Sequence, residues 1–513
     1  MSGVVGAVPL QQEYDVVVVG SGGGALTGAA LAAKAGLATL VLERTDLVGG
    51  TSAYSGGACW LPGSDVQQRS GLPDSTEGAR TYLNAVLDRP ENARVEALLR
   101  QAPRLVAELE ADPLMELEWI PFSEYYDAPG RVPMGRSIQP RSIRRDELDP
   151  AVAAVVRPPV ERDRAGRGGR ATLSGGQALI GRLAAMVVRD GGTIATGHHV
   201  TGLRRAQDGR ADTVLAEGPH GQVEVRARRG ILVAAGGFEG SPERRSQRGT
   251  PGDAAWTMAP RGTNTGEIID AAAAIGAATD WSGGGWFCPG LLQPDGSGSF
   301  TLGFRGGLMV DQTGRRYANE CLPYDRFGRT MAEAPERVPS WFVFDSRESG
   351  RLPAIAMPEG DPADHLAAGT WVTAPTVDGL AAATGLDPAR LTATVERFNR
   401  FAASGTDEDF GRGEDEYDTF FAGAGDPNKA LVPVDQPPFY AARFVLSDLG
   451  TKGGLVTDAD GRVLDTVGVA IPGLYATSNS TASVFGSAYP GPGAPLGAAM
   501  AYASLAVEDM ARC

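Results

Sequence analysis

Small residues near the start of the chain have the spacing that binds a pyrophosphate group. The segment GSGGGA, residues 20–25, directly follows the apolar run YDVVVV and precedes an alanine-rich stretch of helical character. Gly20 permits a tight turn, Gly22 lets the backbone approach phosphate oxygens, and Ala25 lets a helix pack closely on the preceding strand. The N-terminus of that helix would point its free amides and the positive end of its dipole at the phosphates.

A carboxylate follows the next predicted strand, where a ribose would lie. The strand ATLVLE ends in Glu43, 23 residues beyond Gly20. A carboxylate at this position accepts hydrogen bonds from both ribose hydroxyls and disfavours a 2′-phosphate. The strand, turn, helix and second strand together predict a dinucleotide-binding sheet, rather than a parallel sheet whose glycines serve packing alone.

A second small-residue loop favours FAD over NAD as the dinucleotide. Residues 49–57, GGTSAYSGG, come directly after the ribose strand. Flavoproteins need backbone and hydroxyl groups there, beside the pyrophosphate, the ribitol and the ring, whereas NAD enzymes have no such requirement. Thr51, Ser52 and Ser55 are the predicted hydrogen-bonding hydroxyls, with local turn capping as the alternative. A further apolar run that ends in a glycine pair, ILVAAGGFEG, residues 231–240, would return the chain to the same sheet.

One tyrosine near the carboxyl end stands on a stiff turn. Tyr489 is followed by Pro-Gly-Pro-Gly and then by a predicted helix, and we call residues 489–493 the tyrosine turn. Pro490 and Pro492 have no amide hydrogen and restrict the backbone, so donors around them would be held in place. An ordinary turn whose tyrosine packs in the core is the alternative.

The composition suits a folded chain of two domains. The chain has 513 residues, of which 42% are hydrophobic and 21% charged, so each domain can bury a core. Its 70 glycines make up about 14% of the chain, twice the usual ~7%. They cluster in short loops between strand-like runs, where the backbone would pass close to a large ligand.

The net charge of -15 argues against nucleic acid and anionic membranes as partners. No window approaches the roughly 20 apolar residues of a transmembrane helix, and the first dozen residues lack the features of a signal peptide. We therefore expect a cytoplasmic protein with no transmembrane segment. No metal site is predicted, and wide spacing predicts reduced thiols at Cys59, Cys288, Cys321 and Cys513.

The motifs resemble the fumarate reductase and succinate dehydrogenase flavoprotein superfamily over nearly the whole chain. The resemblance is carried by the amino-terminal fingerprint, GGTSAYSGG, ILVAAGGFE and the carboxy-terminal TKGGLVTDADGRVLD and IPGLYATSN. It implies an α/β fold in which a Rossmann-like FAD-binding domain comprises two sequence segments, 1–283 and 449–513. The inserted segment 284–448 would be an α+β catalytic domain that caps the flavin ring.

The residues available do not suit a dicarboxylate substrate. A fumarate reductase needs several arginines and a histidine converging on the flavin. The chain has four histidines, and His365, the one in the inserted segment, is expected in a surface loop. Asn479 also replaces the superfamily's usual glutamate. The segments expected to line the cleft are aromatic and neutral, and each either forms core or lines an apolar pocket: 286–288, Phe300, Phe304 and 340–344.

Within this superfamily the tyrosine turn resembles that of 3-ketosteroid dehydrogenases, especially the Δ1-dehydrogenases. RRYANECLPYDRFGR, residues 315–329, resembles a second motif of that group at Tyr324, and PFSEYYDAPG, residues 121–130, resembles a third at Tyr125. The resemblance implies a flavoprotein oxidoreductase that removes a hydride from C1 to FAD and a proton from C2. The product would carry a C1–C2 double bond, a step of steroid catabolism.

The resemblance also implies a role for each tyrosine. Tyr489 and the backbone amide of Gly493 would donate hydrogen bonds to the 3-keto oxygen, as an oxyanion hole does. Tyr324 would accept the C2 proton, and Tyr125 would assist it and pass the proton toward solvent. The helix after the tyrosine turn would direct its N-terminus at the flavin.

The predicted FAD-binding residues comprise the two small-residue loops, the ribose carboxylate with its neighbour, and positions implied by the superfamily resemblance. They are Gly20, Ser21, Gly22, Gly23, Ala25, Glu43, Arg44, Gly50, Thr51, Ser52, Ser55, Gly56, Gly57, Val200, Gly236, Asn479, Pro495 and Leu496.

The predicted partners are a 3-ketosteroid substrate and an unidentified electron acceptor such as a quinone. Three alternatives stay open. A 3-ketosteroid Δ4-dehydrogenase and another enone or fumarate-type flavin reductase would differ in the double bond of the product. A flavin carrier without turnover would differ because steroid would not bleach its flavin.

Overall fold

The structure is a computed structural model that describes residues 3–88, 92–281, 284–423, 425 and 428–512. Within these ranges no helix has both the length and the apolar composition needed to cross a membrane. Cys59, Cys288 and Cys321 are free and buried, and burial raises the pKa of each thiol. Cys513 lies outside the described residues.

The described residues form 22 strands and 15 α-helices, and the fold is mixed α/β, as predicted. The strands are β1 Val4–Gly6, β2 Glu13–Val19, β3 Thr39–Leu42, β4 Leu117–Trp119, β5 Ile138–Pro140, β6 Ile143–Arg144, β7 Thr172–Leu173, β8 Thr193–Ala195, β9 His199–Arg205, β10 Ala211–Gly218, β11 Gly221–Val233, β12 Thr279–Asp280, β13 Gly285–Leu291, β14 Phe300–Leu302, β15 Leu308–Val310, β16 Ser340–Phe344, β17 Ile355–Met357, β18 Trp371–Ala374, β19 Phe439–Thr451, β20 Gly454–Leu455, β21 Arg462–Leu464 and β22 Ala470–Ala476. The helices are α1 Gly23–Lys34, α2 Asp65–Arg69, α3 Thr76–Val86, α4 Ala93–Glu110, α5 Pro150–Val155, α6 Val160–Asp163, α7 Gly176–Arg189, α8 Pro242–Gln247, α9 Glu267–Ala274, α10 Tyr324–Ala332, α11 Pro362–Ala368, α12 Val377–Thr384, α13 Pro388–Ser404, α14 Glu416–Ala422 and α15 Ala494–Arg512.

A nine-stranded sheet carries the small-residue motifs. Its order is β1-β8-β3-β2-β11-β10-β9, and β22 joins it on β11 with β21 alongside. The strands β3, β2, β11 and β22 run parallel to one another. Parallel strands end at the same edge of a sheet, so the segments that follow these four strands lie at one edge. The valines of β2, Val16 to Val18, have no exposed surface, which explains the continuous apolar run in the sequence.

The first and last helices of the chain pack together through small residues. α1 contacts both α7 and α15. A Cβ on Gly24 would lie 3.0 Å from the Cβ of Ala499, and one on Gly28 would lie 3.4 Å from the Cβ of Ala503. This close approach brings the start of α15 beside the glycine-rich turn that precedes α1.

The chain forms two compact units. The first comprises Met1–Arg244, Ala259–Gly284 and Thr451–Cys513, and the second comprises Arg245–Met258 and Gly285–Gly450. The later boundaries differ by one or two residues from those predicted, but the segment Arg245–Met258 groups with the second unit rather than the first. It is held there because Arg245 forms a buried ion pair of 2.7 Å with Asp448, and the amide of Met258 donates to the Asp448 carbonyl.

The second unit is built on a five-stranded sheet of order β13-β19-β16-β15, with β18 paired to β19. Side chains of β16 alternate between its two faces: Phe342 and Phe344 enter one core, and Trp341 and Val343 enter another. These aromatic residues are therefore core. Phe300 is half-buried, and its ring meets the ring of Tyr324 edge-on at 4.8 Å.

His365 is not in a surface loop, so that expectation is wrong. It lies in α11, is 1% exposed and stacks on Trp371 with ring centroids 4.8 Å apart. Asp361 caps the start of α11 by accepting from the amide of Ala363, and Gly369 ends it in the left-handed conformation. The capping aspartate and the terminal glycine are both visible in the sequence, but the segment between them is too short to show a helical repeat of apolar residues.

Candidate active site

The phosphate cradle, residues 20–25, is lined by backbone. α1 begins at Gly23, and its N-cap residue Gly22 offers no side chain to the helix amides. The Gly23 amide donates to Ser52 Oγ at 3.1 Å, whereas the amides of Gly24 and Ala25 donate to no acceptor among the described residues. A Cβ on Gly22 would lie 3.4 Å from Ser52 Oγ and would fill the cradle. Helix amides that have no acceptor among the described residues fit a pyrophosphate.

Glu43 lies directly after β3 and is 8% exposed. Its Oε2 accepts from Ser21 Oγ at 2.5 Å, and its Oε1 accepts from the amide and the hydroxyl of Thr45, both at 2.8 Å. All of these donors are neutral, and Oε2 keeps acceptor capacity for a ligand hydroxyl. The geometry fits the predicted ribose contact. Thr45 was missed from the sequence, although it stands only two residues after the carboxylate.

The second small-residue segment is a 3₁₀ turn over Gly50–Tyr54 rather than an open loop. Thr51 Oγ1 lies 3.5 Å from Asn264 Nδ2, and Ser52 holds the cradle through the Gly23 amide. Ser55 Oγ donates to the Ser52 carbonyl at 2.7 Å and accepts from the Gly57 amide. Ser55 therefore caps this turn, which is the alternative given above.

The glycines that end this segment differ in their surroundings. A Cβ on Gly57 would lie 2.4 Å from the carbonyl carbon of Gly175, while one on Gly56 would meet nothing within 4 Å. Gly57 therefore permits close packing against the chain before α7. The requirement at Gly57 comes from this neighbour and needs no cofactor to explain it.

Two further predicted residues, Val200 and Arg44, differ in their relation to the ribose carboxylate. The His198 amide donates to the Glu43 carbonyl at 2.8 Å, which brings Val200 of β9 near the end of β3. Arg44 points elsewhere, since its Nη1 reaches Thr265 Oγ1 at 3.0 Å and Glu267 Oε2 at 3.3 Å near the surface.

The remaining predicted residues come from the ends of β11, β22 and the start of α15. Gly236 follows β11, and a Cβ there would lie 2.6 Å from Asn264 Nδ2. Asn479 lies in the 3₁₀ turn Ser478–Ser480 after β22. Pro495 and Leu496 lie in the first turn of α15, and Leu496 Cδ1 is 2.4 Å from where a Cβ on Gly23 would stand. The start of α15 therefore packs on the phosphate cradle.

The tyrosine turn is held first at the carbonyl of Pro490. This oxygen accepts from the Tyr125 amide at 3.1 Å and from the Tyr82 hydroxyl at 2.7 Å. Burial raises the pKa of the Tyr82 hydroxyl, so it remains a donor. The rings of Tyr125 and Tyr489 meet with centroids 5.1 Å apart at an interplanar angle of 65°, and both are buried. The fold thus joins two predicted site residues that stand 364 positions apart.

The turn is held again at its carboxyl end. The Ser137 hydroxyl donates to the Pro492 carbonyl at 2.6 Å, and the Trp60 amide donates to the Gly493 carbonyl at 3.1 Å. Gly493 has φ of 76°, and a Cβ there would lie 2.1 Å from the Ala58 carbonyl oxygen, so only glycine fits. Its amide donates to no acceptor in the described part of the chain, which leaves this N–H available to a ligand.

Three charged side chains beneath the tyrosine turn, which we call the guanidinium cluster, were missed from the sequence: Asp74, Glu124 and Arg136. None of the three side chains is exposed. Arg136 Nε and Nη2 donate to the two oxygens of Glu124 at 2.7 and 3.1 Å, and Nη1 donates to Asp74 at 2.8 Å. Burial raises the pKa of both carboxyls, and the nearby guanidinium opposes that shift. No periodic pattern marks these positions.

Lys452 also supports the approach to the tyrosine turn and was missed within the TKGG motif. Its side chain is buried, and Nζ donates to the Ser487 carbonyl at 2.7 Å and to the Ala488 carbonyl at 3.4 Å. The Lys452 carbonyl in turn accepts from the Ser483 amide at 3.0 Å. The segment that leads to Tyr489 is therefore anchored by both the backbone and the side chain of one lysine.

Tyr324 belongs to the second unit and is the first residue of α10. It is 5% exposed, and its ring packs on Phe300. α10 lies close against β13, because a Cβ on Gly328 would come within 2.7 Å of the Cys288 amide nitrogen. The helix start therefore has a fixed position on the sheet of its own unit.

Comparisons with known proteins agree with these features. The FAD binding domain family matches residues 15–496, which confirms the predicted cofactor. A 3-oxosteroid 1-dehydrogenase of Rhodococcus opacus is 41% identical over 98% of this chain and 99% of its own. A 4-oxocyclohexanecarboxylate 2-dehydrogenase of Sinomonas cyclohexanicum is 33% identical over 97% of this chain and 93% of its own.

A solved structure extends the likeness to the backbone. The crystal structure of the 3-ketosteroid Δ1-dehydrogenase of Sterolibacterium denitrificans, in complex with 1,4-androstadiene-3,17-dione, superposes with a TM-score of 0.88. It is 30% identical and covers 98% of this chain and 100% of its own. The chain therefore belongs to the FAD binding domain family and, within it, to the 3-ketosteroid Δ1-dehydrogenases.

Proposed function

We propose that this protein introduces a double bond between C1 and C2 of a 3-ketosteroid, with FAD as its cofactor. The observation that carries the proposal is the tyrosine turn, where Tyr125 and Tyr489 pack together and the Gly493 amide donates to no acceptor among the described residues. Two neutral donors, a phenol and an amide, suit a neutral ketone better than a carboxylate, which would favour an arginine. The identity to 3-oxosteroid 1-dehydrogenases supports the same reaction.

In this proposal the first unit is the Rossmann-like FAD-binding domain, assembled from an amino-terminal and a carboxy-terminal sequence segment. The second unit is the inserted catalytic domain that caps the flavin. The parallel order of β3, β2, β11 and β22 supports the assignment, because it brings the cradle and the start of α15 to one sheet edge.

The residues that would hold FAD follow from the contacts above. The cradle amides would bind the pyrophosphate, Glu43 the adenosine ribose, and the 3₁₀ turn around Thr51 and Ser52 the ribitol side. Asn479, Pro495 and Leu496 would lie toward the flavin ring. When bound, FAD accepts the two electrons and the hydrogen that leave C1 of the steroid.

Proton loss from C2 needs a polarised ketone, and the tyrosine turn would supply the donors. The Tyr489 hydroxyl and the Gly493 amide would donate to the 3-keto oxygen and stabilise the enolate that develops there. The four hydrogen bonds that Trp60, Tyr82, Tyr125 and Ser137 donate to carbonyls of the turn keep these donors in place before the substrate binds. This arrangement lowers the cost of reorganisation during the reaction.

Tyr324 would accept the C2 proton, and Tyr125 would assist it. A phenol has an ordinary pKa near 10 and is a weak base at neutral pH. A hydrogen bond from a second phenol favours the phenolate and gives the proton a route toward solvent. The proposal therefore needs both tyrosines, and neither alone suffices.

A second candidate substrate is a smaller ring ketone. The relative named 4-oxocyclohexanecarboxylate 2-dehydrogenase is 33% identical over nearly the full length of both chains. Its name indicates the same type of desaturation beside a ring carbonyl, so the site chemistry would be shared. The two candidates differ in which ketone reduces the flavin.

The natural electron acceptor would be a small oxidant such as a quinone, and the protein would act in the cytoplasm. The proposed acceptor can be tested by mixing steroid-reduced enzyme with a soluble quinone. The return of flavin absorbance would show that a quinone reoxidises the flavin.

The deciding experiment is an anaerobic titration of the purified flavoprotein with androst-4-ene-3,17-dione. We expect bleaching of the flavin and a 1,4-diene product. An unchanged flavin spectrum would contradict the proposal and favour a carrier, whereas a different double bond would favour another reductase. Parallel titration with 4-oxocyclohexanecarboxylate decides between the two substrate candidates.

A second measurement isolates the base. Tyr324→Phe should stop exchange of the C2 hydrogen with deuterated solvent while FAD stays bound. Exchange at the wild-type rate would exclude Tyr324 as the base. Tyr440→Phe is a suitable control, because it removes the hydroxyl of another tyrosine in the same unit, whose ring stacks on Phe344.

A further inference from the structure

We infer that Glu124, together with Arg136, is a positioning residue of the active site that holds the tyrosine turn in its reactive geometry. The inference rests on the proposed function for its chemical consequence. Its structural part stands on contacts alone, because each residue that donates a hydrogen bond to the turn from the amino-terminal region also contacts this buried ion pair or neighbours it in the chain.

The first link runs through Trp60. Its indole Nε1 donates to Glu124 Oε1 at 2.8 Å, and the Arg136 guanidinium lies over its ring at 5.5 Å. The backbone amide of the same tryptophan donates to the Gly493 carbonyl at 3.1 Å. The ion pair therefore fixes the residue that holds the carboxyl end of the turn.

The second link runs through two tyrosines. The guanidinium lies 5.7 Å from the ring centre of Tyr82, whose hydroxyl donates to the Pro490 carbonyl. Glu124 is the chain neighbour of Tyr125, whose amide donates to the same carbonyl. The Pro490 oxygen is therefore held by two residues that both depend on the cluster.

The third link is direct contact with the turn. A Cβ on Gly491 would stand 3.3 Å from Trp60 Cδ1 and 3.4 Å from Glu124 Cγ. The backbone of the turn therefore rests on these two side chains without a gap. Next along the chain from Arg136, the Ser137 hydroxyl holds the Pro492 carbonyl at 2.6 Å.

Asp74 provides a comparison within the same cluster. It accepts from Arg136 at 2.8 Å, but its second oxygen accepts from the Gly63 amide at 2.7 Å, in the turn before α2. Among the described residues, Asp74 makes no side-chain hydrogen bond to the tyrosine turn or to Trp60, Tyr82, Tyr125 or Ser137. Both carboxylates thus stabilise one guanidinium, but Glu124 alone of the two contacts the catalytic segment.

The consequence for the reaction is geometric. Both donors to the 3-keto oxygen lie on the turn, and a displacement of about 1 Å at such donors can cost on the order of 10²-fold in rate. Glu124 touches no reacting atom in this proposal. Its effect passes through the position of Tyr489 and Gly493.

The test compares Glu124→Gln with Asp74→Asn in the holoenzyme, since each substitution removes one negative charge from the same guanidinium. Flavin bleaching by saturating androst-4-ene-3,17-dione should slow by roughly 10–100-fold in Glu124→Gln and by less than about 3-fold in Asp74→Asn. The dissociation constant of the steroid, from the spectral change on binding the 1,4-diene product, should change by less than about 3-fold in both.

A double-substitution cycle shows whether Glu124 acts through Tyr489. In a Tyr489→Phe background, Glu124→Gln should slow bleaching by less than about 3-fold, because the donor that it positions is already gone. Equal effects in both backgrounds, or equal effects of Glu124→Gln and Asp74→Asn, would show only general destabilisation and would overturn the inference.

Amide hydrogen exchange tests the structural part without any turnover. Exchange of the amides of Trp60 and Tyr125 should become at least about 10-fold faster in Glu124→Gln and stay near wild type in Asp74→Asn. If Glu124→Gln does not fold, Gly491→Ala presses the turn away from the same two side chains and should give the same exchange pattern. Unchanged exchange overturns the inference. Wild-type enzyme that steroid cannot bleach would instead overturn the proposed function.

Discussion

Glu43 and Glu124 are both buried carboxylates of the first unit, and they are held in opposite ways. Glu43 is bound by neutral donors, the Ser21 hydroxyl and the amide and hydroxyl of Thr45, and keeps acceptor capacity. Glu124 accepts twice from Arg136 and once each from the Trp60 indole and the Val132 amide. All of its acceptor positions are used within the protein.

The partners of Glu43 suit a carboxylate that binds a ligand, whereas the partners of Glu124 suit one that supports the protein's own structure. A carboxylate held by neutral groups can exchange one partner for a ribose hydroxyl at small cost. One paired with a guanidinium in a site without solvent is costly to disturb, because breaking the pair leaves a buried charge. The first kind of residue should therefore affect cofactor binding, and the second kind should affect stability and geometry.

The largest expected effect comes from removing the cation between the two carboxylates. Arg136→Met leaves Asp74 and Glu124 buried without compensation, so the free energy of unfolding should fall by about 3–5 kcal/mol. Urea unfolding followed by circular dichroism measures it. Arg144→Met, which breaks an exposed pair with Asp146, should cost at most about 1 kcal/mol. Similar losses in both variants would contradict the conclusion that the buried ion pair is costlier to disrupt than an exposed one.

The tyrosine turn should respond in rate rather than in stability. Tyr489→Phe keeps the ring that packs on Tyr125 but removes the hydroxyl proposed to donate to the ketone, so flavin reduction by steroid should slow by roughly 10²–10³-fold. Rapid anaerobic mixing measures this step directly. Tyr502→Phe, which loses a hydroxyl bonded to the Arg94 carbonyl, is the control. A wild-type rate in Tyr489→Phe would mean that the tyrosine serves packing alone.

Glu43, which we propose as the ribose ligand, should affect retention of the cofactor. Glu43→Ala leaves the Ser21 hydroxyl and a ribose hydroxyl without an acceptor, so FAD binding should weaken by about 1–3 kcal/mol. Fluorescence of released FAD on dilution measures the change. Glu124→Gln provides the contrast, because it should leave FAD affinity within about 3-fold of wild type. Equal loss of FAD from both variants would remove the distinction between the two carboxylates.

His365 extends the comparison to a buried group with neither a ligand nor an ion as partner. Its Nδ1 lies 2.8 Å from Thr370 Oγ1, its Nε2 has no partner among the described residues, and burial lowers the pKa of the imidazole from 6.5 to about 4. The unfolded chain binds more protons than the folded chain between those values, so stability should fall as the pH drops from 6.5 to 4.

We expect this loss to be about 1–2 kcal/mol. His365→Gln should show a flatter dependence of the unfolding midpoint on pH over that window. The same slope in the variant and the wild type would assign the acid sensitivity to other groups.

Local spacing in the sequence determined the cofactor and the elements proposed to bind it. Gly20, Gly22 and Glu43 lie within 24 residues, on one strand, one turn and the next strand, so the pattern of glycine and apolar residues predicts their arrangement. The buried valines of β2 and the carboxylate after β3 lie where that pattern predicts. Turn conformation and strand burial depend mainly on residues that are close in the chain, so they can be predicted from the sequence.

Tertiary structure alone decided what supports the tyrosine turn. Trp60, Tyr82 and Tyr125 contact residues some 360 to 430 positions further along the chain, and no spacing predicts such contacts. The guanidinium cluster joins Asp74, from the loop before α3, to Glu124 and Arg136, which both lie in the connection between β4 and β5. Neither helical nor strand periodicity marks a buried position in these loops. A charged residue in a loop is exposed by default, and only the packing of distant segments shows that these three have lost their solvent and must satisfy one another.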